Sequence, residues 1–361
     1  MSFSFAMPFV APELVTPAPY EVSFGRIAGR AGPGATRIVV SVDGRVAAEK
    51  PIGRARFDFW VALPPRDVRL TVAAVDKRGR RAATAVEPVF GLPRASAPRG
   101  PPGRSFEDAR LAGELRALGR GFPGICGILV QDLGDGALAA WNVRAHFPAA
   151  STLKVAIAVE VLKVLHGKPW RGSRVDRLLR KMLIPSDDKA ANELLVWLGG
   201  SISGGAARVN ATLQALGLHD TDMYGGYLVQ AAEPSFVGKR TTAWDYARLL
   251  RDVHFAAEGK GELARRFRGS FIPTEARHLL YLLAHTTTGW LDRFVSAREA
   301  TVLQKAGWIT RARHDGGLVY WPGGTFVAVV LTWNQRGVGA PSDLLAGRVA
   351  RTALARLSRK G

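Results

Sequence analysis

At 361 residues the chain exceeds one typical domain and two are expected; its hydrophobic content of 47% is enough to bury a sizeable core. The single cysteine, Cys126, excludes an intrachain disulfide, and no apolar stretch approaches the roughly 18–20 residues a spanning helix needs. A formal charge of +20 suits polyanions, anionic surfaces or carboxylate substrates, but the basic residues are scattered and carry no zinc-finger spacing or RNA-binding aromatic motif, so nucleic acid is not an expected partner.

Residues 1–10 are apolar without a basic region, so the sequence as written opens on no recognisable signal peptide. Short alternating runs follow at 20–27, 37–42, 45–48, 57–61 and 68–75, punctuated by the turn signals Asp43-Gly44 and Asp76-Lys77-Arg78-Gly79. This spacing predicts a small all-β sandwich over 13–90. In pattern it resembles immunoglobulin-like or fibronectin-like modules. Residues 91–105 hold Pro93, Pro98, Pro101 and Pro102 among Gly, Ala, Ser and Arg, and read as a semi-extended linker.

From 106 to 358 the texture changes. A helix is predicted at 106–118, then a hairpin of strands 125–132 and 137–142 across Gly134-Asp135-Gly136. Cys126 falls inside the apolar strand and is expected to be buried. Helices follow at 151–165, 175–182, 187–198, 206–216, 242–255 and 275–286, with Gly199-Gly200 and Gly217 as stops. Strands at 301–305, 317–321 and 325–332 and a helix at 341–358 close the chain. His314-Asp315 reads as a hairpin turn. The order suggests an α+β domain, an antiparallel sheet flanked by helices.

The chemistry begins at Ser151. Lys154 lies three residues on, and positions i and i+3 of a helix share a face. A helix start supplies unsatisfied N–H groups and positive potential, and an adjacent amine can activate the serine as a nucleophile. A second polar group, Ser186-Asp187-Asp188, follows Pro185 and opens a helix. A third, Gln304-Lys305-Ala306-Gly307-Trp308, ends an apolar strand.

Together these segments resemble the serine-lysine, Ser-Asp-Asn and Lys-Thr-Gly motifs of class A β-lactamases and penicillin-binding proteins. The resemblance spans about 106–358 and keeps the family's order and element types. It implies Ser151 as nucleophile, Lys154 as its base, Ser186 as proton relay to the leaving nitrogen, and Lys305 as the charge for a substrate carboxylate. It also implies substrate contacts from Asp188, Ala306, Gly307 and Trp308, with the N–H groups of Ser151 and Trp308 forming the oxyanion hole. The expected substrates are β-lactams, peptidoglycan-like peptides or related amides and esters, handled by a monomer without a cofactor, outside the cytoplasm. An anionic cell-wall polymer is a further partner that the charge allows.

Three departures qualify this. Asp188 replaces the family's asparagine, and an ionised carboxylate accepts but does not donate. Ala306 lacks the usual hydroxyl, for which Arg311 or Arg313 is a candidate substitute. The Glu-x-x-Leu-Asn motif, whose glutamate activates the deacylating water, is missing before Arg240-Thr241-Thr242-Ala243; Asp222 and Glu233 are the nearest carboxylates and read as surface residues. The alternatives are therefore a penicillin-binding DD-peptidase or esterase with slow deacylation, or a catalytically weak envelope-binding protein. The seven histidines show no metal-ligand spacing, so no metal site is expected.

Overall fold

A computed structural model describes residues 9–227 and 239–359. The chain divides into two compact units, Met1–Ala97 and Pro98–Gly361.

The first unit is built mainly of strands, with one short 3₁₀ turn at Arg94–Ser96: β1 (Glu13–Thr16), β2 (Glu21–Ser23), β3 (Arg26–Arg30), β4 (Ala35–Val42), β5 (Arg45–Pro51), β6 (Arg56–Trp60), β7 (Asp67–Asp76) and β8 (Arg81–Gly91). They form a three-stranded sheet, β1-β3-β6, and a five-stranded sheet, β2-β8-β7-β4-β5. Ile27 and Phe57 from one sheet and Ile38, Val40, Leu70, Val72 and Val89 from the other share one core. The run 20–27, expected as a single strand, splits between the two sheets. Ser23 Oγ accepts the Gly25 amide at 3.1 Å and turns the chain between β2 and β3.

The second unit begins with β9 (Phe106–Glu107), α1 (Ala109–Arg120), β10 (Ile125–Asp132), β11 (Ala137–Trp141) and β12 (Phe147–Pro148). A helical block follows: α2 (Lys154–Leu165), α3 (Arg174–Leu183), α4 (Asp188–Gly199) and α5 (Ile202–Ala215). After β13 (Asp222–Met223) and β14 (Lys239–Thr241) come α6 (Ala243–Ala256), α7 (Gly261–Arg266) and α8 (Pro273–Ala284). The chain ends with β15 (Thr301–Gln304), β16 (Gly307–Ile309), β17 (Ala312–Trp321), β18 (Gly324–Trp333) and α9 (Ala340–Leu357).

The main sheet runs β15-β17-β18-β10-β11-β9, with β16 also on β17. The central strands are buried on both faces. Alternate residues of β10 and β18 (Ile128, Val130, Ala328 and Val330) pack with Leu115 of α1 and Val349 and Ala353 of α9 in one core; α6 covers the other face. Cys126 is buried here as expected, its thiol 3.5 Å from the Gly119 carbonyl and pushed by burial up to about 11. Phe106 and Glu107 pair with β11 as a strand rather than opening the helix; Asp108 caps that helix through the Leu111 amide at 3.1 Å.

The expected turn at His314-Asp315 is a correction. Both residues lie inside β17, fully buried. The turn-like composition has another cause: a Cβ on Gly316 would come within 2.3 Å of the Tyr246 ring. Glycine is there for the packing of α6 on the sheet.

Candidate active site

Ser151 sits in a short 3₁₀ turn, Ala150–Leu153, and α2 begins only at Lys154. The preceding residue, Ala150, has φ of +47°, a conformation that costs a non-glycine residue free energy and needs support from its surroundings. Support comes from two sides. Phe147 and Pro148 pair with Thr241 and Arg240 in a small sheet, β12-β14-β13. His314 of β17 holds the same segment: its Nδ1 accepts the Thr332 amide at 3.1 Å, so Nε2 carries the proton and donates to the Pro148 carbonyl at 2.6 Å. Burial lowers this imidazole to about 4, consistent with the neutral form.

Against the turn lies Gly307. A Cβ there would stand 2.6 Å from Ser151 N and 2.9 Å from Thr152 N. The family resemblance implied a substrate contact at this glycine; the structure gives it a prior duty to the Ser151 turn. Lys305 N donates to Gly316 O at 2.9 Å. The alternation of an antiparallel ladder therefore turns the Trp308 amide away from β17.

Lys154 is fully buried at the first position of α2. Its Nζ contacts Asp188 Oδ1 at 2.6 Å, the Ser186 carbonyl at 2.6 Å and Ser186 Oγ at 3.2 Å. Burial lowers its pKa, and the Asp188 carboxylate opposes that shift. No hydrogen bond to Ser151 Oγ is made among the described residues: the amine that shares a helix face with the serine is drawn toward α4 by the carboxylate.

Ser186 has φ of +65°, and the next residue, Asp187, caps α4 through the Ala190 amide at 2.7 Å. The cap fixes where α4 starts, and so places Asp188 against Lys154. On its far side Ser186 Oγ meets Lys305 Nζ at 2.8 Å. Lys305, fully buried, also donates to the Ala306 carbonyl at 2.8 Å. Burial and then the charge of Lys154 lower Lys305 to about 7. The structure thus joins Lys154, Ser186, Asp188 and Lys305 in one hydrogen-bonded network and sets Gly307 against Ser151. Ala306 contributes its carbonyl, since its methyl group is buried. Trp308 is 43% exposed at the rim, edge-on to Trp290 at 5.9 Å. Arg313 pairs with Asp343 and stacks over Trp290 at 4.2 Å. That commitment leaves it unsuited to replace the hydroxyl missing at Ala306. Arg311 is exposed.

Four contributors escaped the sequence reading. Tyr227 is buried with two amines over its ring, Lys154 Nζ at 4.7 Å and Lys239 Nζ at 5.0 Å, and its hydroxyl donates to Ala150 O at 3.2 Å. Asn192 fixes its backbone from both sides at 2.6 and 2.7 Å. Tyr246 Oη donates to Lys305 O at 2.7 Å. Asp315, fully buried, accepts the Trp290 and Leu291 amides through Oδ2, and burial raises its pKa to about 7. Of the two carboxylates considered for deacylation, Asp222 pairs with Arg240 at 2.7 Å, while Glu233 lies outside the described residues. Among the described residues no group of His, Cys, Asp or Glu is arranged to hold a metal ion, and no helix is long and apolar enough to cross a membrane.

Residues 110–171 and 166–357 match the model of the β-lactamase enzyme family. The chain belongs to that family. Its second unit has the β-lactamase-like α+β fold. The structure of PBP-A superposes with a TM-score of 0.59 at 21% identity, covering 72% of this chain and 99% of PBP-A. A class A β-lactamase from Mycobacterium abscessus gives 0.56 at 21% identity, covering 69% and 99%. A β-lactamase from Sphaerobacter thermophilus gives 0.55 at 21%, covering 68% and 96%. Comparison with curated proteins found no match. At these identities the solved structures speak for the shared fold.

Proposed function

We propose that the protein is a serine hydrolase that forms an acyl-enzyme on Ser151 and acts on β-lactams or related amides and esters. The observation that carries the reading is the network linking Lys154 to Ser186 and Ser186 to Lys305, beside the Ser151 turn. In this reading Ser151 Oγ attacks the carbonyl carbon and its proton passes to the Lys154–Ser186 pair. The oxyanion accepts from the amides of Ser151 and Trp308; one such donor is worth about 2.7–4 kcal/mol in the transition state. The carbon–nitrogen bond breaks as Ser186 Oγ–H gives its proton to the departing nitrogen and regains one from Lys154, which had taken it from Ser151, so Lys305 keeps its charge. Lys305 and the rim around Trp308 receive the substrate carboxylate. Water then releases the acyl group. An extracytoplasmic site of action and an immunoglobulin-like, polymer-binding role for the first unit belong to the same proposal. A solved variant of PBP-A that is an acyl-enzyme complex with penicillin G, 22% identical to this chain, is consistent with the chemistry.

A second reading, an envelope-binding protein without turnover, draws on one observation: Lys154 Nζ is committed to Asp188 and Ser186 and makes no hydrogen bond to Ser151 Oγ. Incubation with a fluorescent penicillin and intact-mass analysis separates the two. An adduct on Ser151, or turnover, lost in Ser151→Ala, supports the hydrolase. No adduct and no hydrolysis of a lactam and ester panel supports binding alone.

A further inference from the structure

Release of the acyl group needs a base that can touch both water and the catalytic network. Lys154 fails the first condition, being fully buried with its Nζ surrounded by Ser186 and Asp188. Lys305 and Asp315 are likewise fully buried. Among the described residues, other carboxylates of the region fail the second condition. Asp187 caps α4, Asp222 is held by Arg240, Glu193 by Arg174, and Glu160 is buried with Arg208, Lys163 and Thr212.

Asp188 meets both. Its side chain is 38% exposed while Oδ1 contacts Lys154 Nζ at 2.6 Å. Among the described residues Oδ2 makes no hydrogen bond, which leaves a carboxylate oxygen for water. Its charge also acts on the amines of Lys154, Lys239 and Lys305, favouring their protonated forms.

We propose that Asp188 is the general base that activates the water for hydrolysis of the Ser151 acyl-enzyme. The step rests on the acyl-enzyme reading above. Water oxygen bonds to the acyl carbonyl carbon as its proton moves to Asp188 Oδ2, giving a tetrahedral intermediate with its oxyanion on the Ser151 and Trp308 amides. Collapse breaks the bond between that carbon and Ser151 Oγ. Asp188 then turns its protonated oxygen toward Lys154 Nζ and passes the water's proton to that amine, which passes one on to the serine oxygen. Acid product and free serine result, with every charge restored. The residue that departs from the family's asparagine thereby supplies the base that the missing glutamate would have been.

The test follows the Ser151 adduct of a fluorescent penicillin by intact mass in wild type, Asp188→Asn, Asp188→Ser and Asp188→Glu, with Ser151→Ala as control. Formation of the adduct itself certifies that a variant is folded. The expected result is an adduct that still forms in the Asn and Ser variants, with its breakdown slowed more than its formation. Its lifetime should lengthen by about 10²-fold or more, the usual worth of a general base. Glu should shorten it again, and added hydroxylamine should free the trapped serine. An unchanged or shortened lifetime in Asp188→Asn overturns the proposal. So does loss of adduct formation in Asn and Ser with retention in Glu, which assigns the carboxylate to acylation. Wild type showing neither adduct nor turnover overturns the acyl-enzyme reading itself, and this step with it.

Discussion

Lys305 Nζ and Ser186 Oγ meet at 2.8 Å although 119 residues separate them in the chain. One sits at the end of a sheet strand and the other at the entrance to a helix, so the contact joins the sheet to the helical block. In the proposed reaction the charge state of Lys305 therefore governs both the substrate carboxylate and the proton on Ser186.

Acylation of Ser151 is expected to depend on pH through this amine. Lys305 is held at about 7, chiefly by burial, so its positive charge fades as pH rises through that value. The rate of adduct formation should fall several-fold between pH 7 and 9. Lys305→Arg stays charged throughout and should lose that alkaline limb, whatever its absolute rate. Asp315→Asn keeps an oxygen for the Trp290 and Leu291 amides but removes the charge that raises Lys305; its limb should move to lower pH. Stopped-time labelling across pH reads both.

Gly307→Ala should damage the nucleophile without touching it chemically. Its methyl group would fall 2.6 Å from Ser151 N, so the turn or β16 must move. A destabilisation of about 1–3 kcal/mol is expected from such overpacking. A displacement near 1 Å can cost about 10²-fold in rate, so labelling should slow by at least ~10-fold. Thermal melts and labelling rates check the two effects separately.

Tyr227 supports Lys154 with its ring more than with its hydroxyl. Tyr227→Phe keeps the ring under the two amines and loses one hydrogen bond to Ala150 O, a change of about 1 kcal/mol. Tyr227→Ala leaves a cavity beside the catalytic amine and should cost about 3–5 kcal/mol, with labelling largely lost. Equal damage in both variants, measured by urea denaturation and labelling, would contradict this ranking.

His314 should make the fold acid-sensitive. Its pKa is about 4 in the folded chain against about 6.5 unfolded. Between those values the unfolded chain binds a proton that the folded chain refuses. Stability is thus full above about pH 6.5 and is lost as pH falls toward 4, by about 3 kcal/mol for this residue. His314→Gln should be less stable than wild type at pH 7, and the two urea midpoints should converge toward pH 4.

Much of the candidate site's geometry was legible because it is local or repeats a family order. Ser151 and Lys154 are neighbours on one turn, and Ser186, Asp187 and Asp188 follow a proline with capping residues. Lys305 was readable from the strand that carries it. What stayed hidden depends on approach across the fold. Tyr227 lies where no periodicity marks it, and its role arises only when two lysines from different elements close on its ring. His314 and Asp315 read as a turn because polar residues precede a glycine pair. Only the packing of Tyr246 against Gly316 shows why a fully paired strand needs that composition. The single strand expected at 20–27 failed for a similar local reason, a serine side chain bending the backbone that hydrophobic alternation alone would keep straight.

The one thiol of the chain has a practical consequence. Cys126 is buried in β10 and held at about 11, so little thiolate forms at neutral pH and no second cysteine exists to oxidise it. The fold owes nothing to the redox state of the compartment in which it is made. A cysteine introduced at an exposed position such as Trp170 would be the sole reactive thiol, and a single dye placed there would report on the β-lactamase-like unit without a background signal from the native sulfur.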